Sequence, residues 1–217
     1  MAISYSGYTT YLNCPSAFQR KYITKEECGP PPTRETAPQM FRGTDLHNAI
    51  EDMLNDKSNK LPKVIIHYTD FVLGLRNMGA KPEVPFAFNA LWESVDFEDE
   101  TAEIRGFLDC ELAGTELIVY EWKSGKKYDD HVVQRNLYGL AALLRNPSYD
   151  KVRVITTYLD AGNNDETVYH SPMLNTYMWM WTKYINKTKP PQPYPMRPSW
   201  KCGTCQFSKN RGGLCPN

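Results

Sequence analysis

The chain has 217 residues, enough for one domain with a sizeable core. Its 25 lysines and arginines balance 25 aspartates and glutamates, so bulk charge does not indicate a nucleic-acid partner, and any such binding must use a local basic patch. No apolar run approaches the roughly 20 residues that cross a bilayer, and the first residues lack a basic-then-apolar signal pattern. We therefore expect a cytoplasmic protein without a membrane partner.

The first part of the chain is predicted to be helical. Ser4 or Ser6 can cap a helix that continues towards Tyr22. Pro15 removes a backbone donor inside that helix, so a kink or a break is expected there. The prolines and the glycine in residues 28–38 predict a loop.

Two more helices are expected before the first strand. One starts near Gly43, and its apolar residues recur at helical spacing with His47 beside them. The other covers residues 68–78. After Pro82 the apolar residues alternate, which is typical of a strand. The remaining predicted strands cover residues 102–112, 117–123, 152–156 and 167–170, with a turn at 163–165 and with helices after Asp130 and over 173–185. This order indicates an α/β or α+β domain with a mixed central sheet.

Three charged residues interrupt two of the predicted strands. Asp109 ends one apolar run, and Glu121 and Lys123 end the next. Residues two apart on a strand share a face, so Glu121 and Lys123 are expected to be neighbours. Two carboxylates and a lysine on one sheet face are the minimum set for metal-assisted hydrolysis of a phosphodiester. An ordinary hairpin with charges at its exposed end has the same spacing.

The loop between these strands decides whether Asp109 shares the face of the other two charges. A three-residue loop over 113–115 places Asp109 opposite Val119, on that face. A two-residue loop over 114–115 places it opposite Tyr120, because a slip of one residue turns every side chain to the other face. The metal-site interpretation therefore requires a loop of odd length.

Four of the six cysteines lie near the ends of the chain. Cys14 is close to the start, and Cys202, Cys205 and Cys215 are close to the end. Clustered cysteines in a reducing compartment favour a metal site over disulfides. The spacing of Cys202 and Cys205 suits two ligands of one metal atom.

Several short motifs resemble those of one enzyme superfamily. In chain order they are Gly43-x-x-x-His47, Gly106-x-x-Asp109, Glu121-x-Lys123 and Gln134-x-x-x-Tyr138. Together they resemble the PD-(D/E)xK nuclease superfamily, and more narrowly its RecB-type branch, which includes the CRISPR-adaptation exonucleases and AddB-like helicase-nuclease domains. The resemblance covers most of the chain, from the first helix to the cysteine tail.

The resemblance implies a restriction-endonuclease-like α/β fold, in which helices flank a mixed central sheet. It implies a single nuclease domain over residues 1–217 with its core at 40–186. Residues 1–30 and 190–217 would form a subregion in which a cysteine metal site joins the two ends of the chain.

The resemblance also implies a ligand set for Mg²⁺ or Mn²⁺. Three side chains would bind the ion, those of His47, Asp109 and Glu121. The backbone carbonyl of Trp122 would be a further ligand, and Lys123 would serve the attacking water. Glu121 stands where the family more often has aspartate, which is a permitted variant.

Other residues would support this site. Gln134 and Tyr138 are four residues apart and so share a helix face, from which they would contact DNA or support the site. Glu83, at the start of its strand, could add a further acid. Aromatic and basic residues of the first helix could follow a DNA strand or pack around the cysteine metal site; they are Tyr5, Tyr8, Tyr11, Phe18, Arg20 and Lys21.

Iron–sulfur members of this branch hold a 4Fe–4S cluster with one cysteine before the histidine motif and three at the C-terminus. The matching residues here are Cys14, Cys202, Cys205 and Cys215. The gap before Cys215 is longer than the family's usual gap, so Zn²⁺ on the four thiolates is an alternative.

The predicted function is a Mg²⁺- or Mn²⁺-dependent deoxyribonuclease that hydrolyses phosphodiesters with a metal-activated water. The expected substrate is single-stranded DNA or a duplex end, attacked by an exonuclease, and a protein partner in DNA processing fits that role. Two alternatives stay open from the sequence. One is a non-catalytic DNA-binding or complex-forming module that keeps the fold, and the other is a structural zinc protein.

Overall fold

The structure is a computed structural model that describes residues 1–26, 33–190, 194–213 and 215. Within these residues, helices surround one five-stranded sheet. The helices are α1 (Tyr5–Asn13), α2 (Pro15–Phe18), α3 (Pro38–Leu54), α4 (Thr69–Asn77), α5 (His131–Arg145) and α6 (Leu174–Thr188). The strands are β1 (Lys81–Phe88), β2 (Ile104–Ala113), β3 (Leu117–Lys123), β4 (Lys151–Tyr158) and β5 (Asn163–His170). No helix in the described part of the chain is both long and apolar enough to span a membrane.

The strands lie in the order β1-β2-β3-β4-β5. All neighbours are antiparallel except β3 and β4, which are parallel and are joined through α5. A parallel pair needs such a crossover, whereas antiparallel neighbours can be joined by short turns. The predicted mixed α/β sheet with flanking helices is confirmed.

Both faces of the sheet are covered by helices. On one face, Leu137 and Leu140 of α5 belong to a core with Val119 of β3, which α1 and α6 complete. On the other face, Ile50 of α3 belongs to a second core with Trp122 of β3 and with α4. Burial on both sides explains why β3 begins with an unbroken apolar run, residues 117–120.

The break predicted in the first helical segment is confirmed. The Ser4 side chain caps α1 by accepting a hydrogen bond from the Gly7 N–H at 3.1 Å. The helix ends at Cys14, which is extended, and Pro15 then occupies the first turn of α2. One π-helical turn, Gln19–Ile23, continues α2.

Helix α3 begins earlier than predicted. It starts at Pro38, whose fixed φ suits the first position of a helix, and not near Gly43. Gly43 instead lies inside the helix, where an added Cβ would lie 3.1 Å from the Ser124 Oγ. The first part of the predicted loop, residues 28–32, lies outside the described residues.

The reversal between β4 and β5 also differs from the prediction. Residues 163–165 are not a turn but the start of β5, where they pair with residues 156–158 of β4. The chain reverses over residues 159–162, and Gly162 has a φ of +66°, which glycine adopts without strain.

The packing of α5 against β5 depends on the small size of Gly139. A Cβ atom there would lie 2.3 Å from the Cδ2 of Tyr169, closer than real side chains allow. We expect Gly139→Ala to lower the free energy of unfolding by about 1–3 kcal/mol, because the ring and the backbone must shift. Urea denaturation followed by circular dichroism measures the change.

Gly74→Ala in α4 is the matched control. Nothing lies within 4 Å of its Cβ position, so alanine should stabilise the helix by about 0.5–1 kcal/mol. A Gly139→Ala protein that unfolds at the wild-type urea concentration, or above it, would contradict the packing described here.

Candidate metal centre

The hairpin loop between β2 and β3 has three residues, 114–116. Its odd length is as predicted, but it lies one residue later than the predicted 113–115. The pairing of Cys110 with Tyr120, continued by one residue, therefore places Asp109 opposite Glu121 rather than opposite Val119. The two carboxylates are closer than the predicted register implied.

Strands β2 and β3 diverge beyond their last backbone pair. There the Asp109 Oδ2, rather than a backbone oxygen, accepts the hydrogen bond of the Trp122 N–H at 2.8 Å. Where β3 no longer pairs with β2, the edge of β2 at Ile104 pairs with Ile3, which lies just before α1. The divergence leaves a gap between the two strands at Asp109 and Trp122, which we call the wedge.

Three side chains from three different elements meet at the wedge. His47 comes from α3, Glu83 from β1 and Asp109 from β2, and one ligand atom of each lies within 4.8 Å of the others. The His47 Nδ1 is 3.5 Å from the Asp109 Oδ2, and its Nε2 is 2.8 Å from the Trp122 carbonyl oxygen. Among the described residues, this group of acids and histidine is the candidate metal centre.

The backbone of Glu83 is strained. Its φ is +45°, in the left-handed region that a residue other than glycine enters at a cost of about 1–3 kcal/mol. The pairing of β1 with β2 passes from Pro82 to Val84 without a pair at Glu83 and Asp109. The strain thus falls at one acid of the site, Glu83, opposite the other, Asp109, and strained conformations concentrate at functional sites.

Glu121 lies in a buried network beside this group. Its Oε1 accepts hydrogen bonds from the Lys123 Nζ at 2.5 Å and from the Gln134 Nε2 at 2.8 Å. The same Gln134 nitrogen donates to the Tyr138 hydroxyl at 2.9 Å, so the two α5 residues do share one helix face. The Glu121 Oε2 is buried and has no hydrogen-bond partner among the described residues.

Burial controls the protonation of the site. It raises the pKa of Asp109 well above its usual range, and the charge of Glu121 adds to that shift. Burial also raises the pKa of Glu83, and the charges of Glu51 and Glu121 add to that shift. Burial lowers the pKa of His47, so the imidazole is neutral at pH 7, the form that binds metals. Burial opposes the charge of Lys123, but the charge and the hydrogen bond of Glu121, together with the charge of Asp109, outweigh burial and raise the lysine pKa.

The residues at the wedge fit a hard divalent cation. Carboxylate and carbonyl oxygens are the preferred ligands of Mg²⁺ and Mn²⁺, and they predominate here beside a single imidazole. Two adjacent ligands about 2.1 Å from an octahedral ion lie roughly 3.0 Å apart, close to the separation of the His47 Nε2 and the Trp122 oxygen. A cation would also satisfy the partnerless Glu121 oxygen and keep Asp109 ionised.

A cavity of 260 Å³ opens beside the wedge. Asp109 and α5 line one side, and the first residues of α1, Ser4 to Ser6, line the other. The sequence identified Ser4 only as a helix cap and gave no signal for this position. The reason is that α1 is placed by the pairing of Ile3 with β2, a contact between residues far apart in the chain.

Some aromatic residues of the first helical segment face the core instead of solvent. Tyr8 is buried and stacks on Tyr184, and Phe18 is buried against Tyr11 and Tyr22. Their burial excludes Tyr8 and Phe18 from following a DNA strand, so of the two predicted roles only packing inside the protein is left for these two residues.

A second cavity, of 190 Å³, lies between the two ends of the chain. The four cysteines singled out in the sequence all line it: Cys14, Cys202, Cys205 and Cys215. Side chains of the C-terminal segment tie it to the end of α1, since Lys201 donates to Asn13 and Arg197 to the Leu12 carbonyl. Cys110 is buried in the sheet, and Cys28 lies outside the described residues.

Addition of Mn²⁺ should stabilise the protein through His47. A ligand that binds only the folded state adds about 2.7 kcal/mol when it is present at 100 times its Kd. We expect Mn²⁺ to raise the Tm of the wild type and to have little effect on His47→Ala, which lacks the imidazole ligand. Differential scanning fluorimetry measures both shifts.

His67→Ala is the control, because His67 is exposed in the segment before α4 and should leave the Mn²⁺ shift unchanged. Equal shifts in the wild type and in His47→Ala would show that the ion binds elsewhere.

Comparisons with known proteins identify the fold. No family model and no curated protein matches the sequence. The crystal structure of a "Putative exonuclease" from Eubacterium rectale matches with a TM-score of 0.50 and 13% identity, over 100% of this chain and 90% of that chain. The crystal structure of SSO0001 matches with a TM-score of 0.49 and 19% identity, over 99% of this chain and 86% of that chain. The chain shares its mixed α/β fold with the Eubacterium rectale protein.

Proposed function

We propose that this protein is a Mg²⁺- or Mn²⁺-dependent deoxyribonuclease of the RecB-type branch, acting as an exonuclease on single-stranded DNA or duplex ends. The observation that carries the proposal is the meeting of His47, Glu83 and Asp109 beside the buried pair of Glu121 and Lys123. The order of the motifs supports it, and so does the name of the Eubacterium rectale protein with the same fold.

The divalent ion would be held by His47, Glu83 and Asp109, with the Trp122 carbonyl and Glu121 next to them. When bound, such an ion polarises the phosphodiester and lowers the pKa of the attacking water. The chain's own contribution is to hold several oxygen ligands together in a partly buried place that still leaves room for the attacking water.

Lys123 supplies a fixed positive charge next to the metal ligands. Its Nζ is held by Glu121, yet 24% of its side chain is exposed, so a substrate can reach it. A cation in this place stabilises the negative charge that develops on the phosphate oxygens, and its N–H groups can orient the water. Lys123 therefore acts on the reacting groups themselves.

Gln134 and Tyr138 hold Glu121 in place. Both are buried, and the Gln134 amide bridges the carboxylate and the Tyr138 hydroxyl. A buried pair with these contacts favours the supporting role over direct contact with DNA. Fixing the carboxylate also fixes Lys123, which is bonded to the same oxygen.

The four cysteines are proposed to hold a 4Fe–4S cluster, with Zn²⁺ as the alternative. Thiolates about 2.3 Å from a tetrahedral zinc lie roughly 3.8 Å apart. Of the four described cysteine sulfurs at this cavity, no three lie within 4.8 Å of one another, so they are not already at the spacing of zinc ligands. Either metal would join the two ends of the chain and contribute to the folding of that region.

Lys123→Ala should lower the rate of DNA degradation by about 10²- to 10⁴-fold, since it removes a group that acts on water or phosphate. The assay follows a labelled single strand with Mn²⁺ and uses EDTA as the metal-free reference. Lys126→Ala, which changes an exposed lysine three residues away, should keep the wild-type rate. Equal rates for all three proteins would point to a contaminating nuclease.

Protein purified without air should be brown, with equal iron and sulfide contents. Cys205→Ala should lose this absorbance, because it removes one of four cluster ligands. Cys110→Ala changes a cysteine buried in the sheet and should keep it. A colourless wild type with stoichiometric zinc would support the alternative metal.

A further inference from the structure

A groove of 600 Å³ lies between the N-terminal helices, the first turn of α3 and the C-terminal segment. The N-terminal helical segment contributes Thr10 and Lys21 to the lining of this groove, and helix α3 contributes Gln39 and Met40. The C-terminal segment contributes Gln206 and Arg211.

Two walls of this groove continue to the candidate metal centre. Helix α1 lines the cavity beside Asp109 with its first residues, and Thr10 lies about 6 Å further along the same helix. Helix α3 carries Met40 in the groove and His47 at the metal centre, about 10 Å apart along the axis. The groove and the centre thus lie along the same two helices.

The groove is positively charged although the chain as a whole is neutral. The exposed Lys21 lies 5.1 Å from the centre of the Tyr22 ring, and Arg211 donates to the Thr204 carbonyl at 3.4 Å. Among the described residues, neither cation forms an ion pair with an acid, so both are open to an anion. None of the described residues that line the groove is an aspartate or a glutamate.

We propose that this groove binds the single strand of DNA that enters the metal centre, an inference that rests on the proposed nuclease function. Lys21 and Arg211 contact its phosphates. Gln39 and Gln206 offer amide groups to base edges, and Met40, which is 50% exposed, offers an apolar surface to a base. The volume is that of a small-ligand site, which suits one or two nucleotides of a single strand and not a duplex.

The same groove gives the C-terminal cysteine segment a role in substrate binding. Cys205 lines both the cysteine cavity and the groove, and Gln206 follows it directly. A metal held by the cysteines would therefore fix the wall that carries Arg211. The cysteine site would therefore help to bind the DNA strand without being part of the candidate metal centre.

The first experiment measures binding apart from cleavage. Fluorescence anisotropy follows a short labelled oligothymidylate in the Lys123→Ala background, which keeps the DNA intact. Lys21→Glu and Arg211→Glu should each weaken binding about tenfold at low salt. Each should also reduce the slope of log K against log salt by about 0.7, the value for one lost phosphate contact on a single strand.

Lys60→Glu makes the same charge change on an exposed residue beyond the far end of α3 and should have little effect. Gln39→Lys adds a cation to the groove and should tighten binding several-fold, a result that misfolding cannot produce. The inference is overturned if Lys21→Glu and Arg211→Glu bind the oligonucleotide as tightly as Lys60→Glu does, and if Gln39→Lys binds it no tighter than the Lys123→Ala parent.

A second experiment separates this inference from the nuclease proposal. With Lys123 intact, the groove variants should raise the KM for an oligonucleotide about tenfold and leave hydrolysis of a nitrophenyl thymidine phosphate unchanged, since that small ester does not reach the groove. If the wild type cleaves both substrates and the variants keep its KM, the groove inference fails and the nuclease proposal stands. If the wild type cleaves neither, the nuclease proposal fails, and the anisotropy result alone decides whether the groove binds DNA.

Discussion

The hydrogen bond from the Trp122 N–H to the Asp109 carboxylate is the contact around which the candidate site is built. A regular hairpin would satisfy that N–H with a backbone oxygen and leave no space between β2 and β3. Because a side chain accepts it instead, the strands can separate while the donor stays paired, as a buried donor must. The separation lets His47 reach the Trp122 carbonyl and gives Ile3 an edge of β2 to pair with.

The second constraint is the burial of charge. Glu121 is 2% exposed, and its charge acts on Asp109, Glu83 and His47. Lys123 compensates the charge of one carboxylate, Glu121, while the other two acids, Asp109 and Glu83, are partly buried close to one another. Buried charges persist in proteins when they are paired or bind a metal. A divalent cation would offset the charge of these acids, whereas a purely structural role gives no reason to place three carboxyl groups together.

Much of this arrangement could be predicted from the sequence because it is local. The bounds of β3, the shared face of Glu121 and Lys123, and the pairing of Gln134 with Tyr138 all follow from periodicities of two and of about four residues. The exact hairpin register did not follow, because a glycine-containing loop at 113–115 or at 114–116 fits the same pattern. The left-handed backbone of Glu83 could not be predicted either, since local preference opposes it and only the surrounding structure holds it in place.

The sequence predicted that the four cysteines bring the ends of the chain together, but it did not predict the position of α1 between two cavities. This helix of nine residues is about 14 Å long. Its first turn lines the cavity beside Asp109, while Cys14, directly after its last residue, lines the cysteine cavity. A short helix fixed at both ends transmits position from one cavity to the other. If the cysteines bind a metal as proposed, its removal would leave the C-terminal segment held by polar contacts such as those of Lys201 and Arg197 with the end of α1. In that case the metal of the cysteine site would help to position α1 beside the candidate metal centre without contacting that centre.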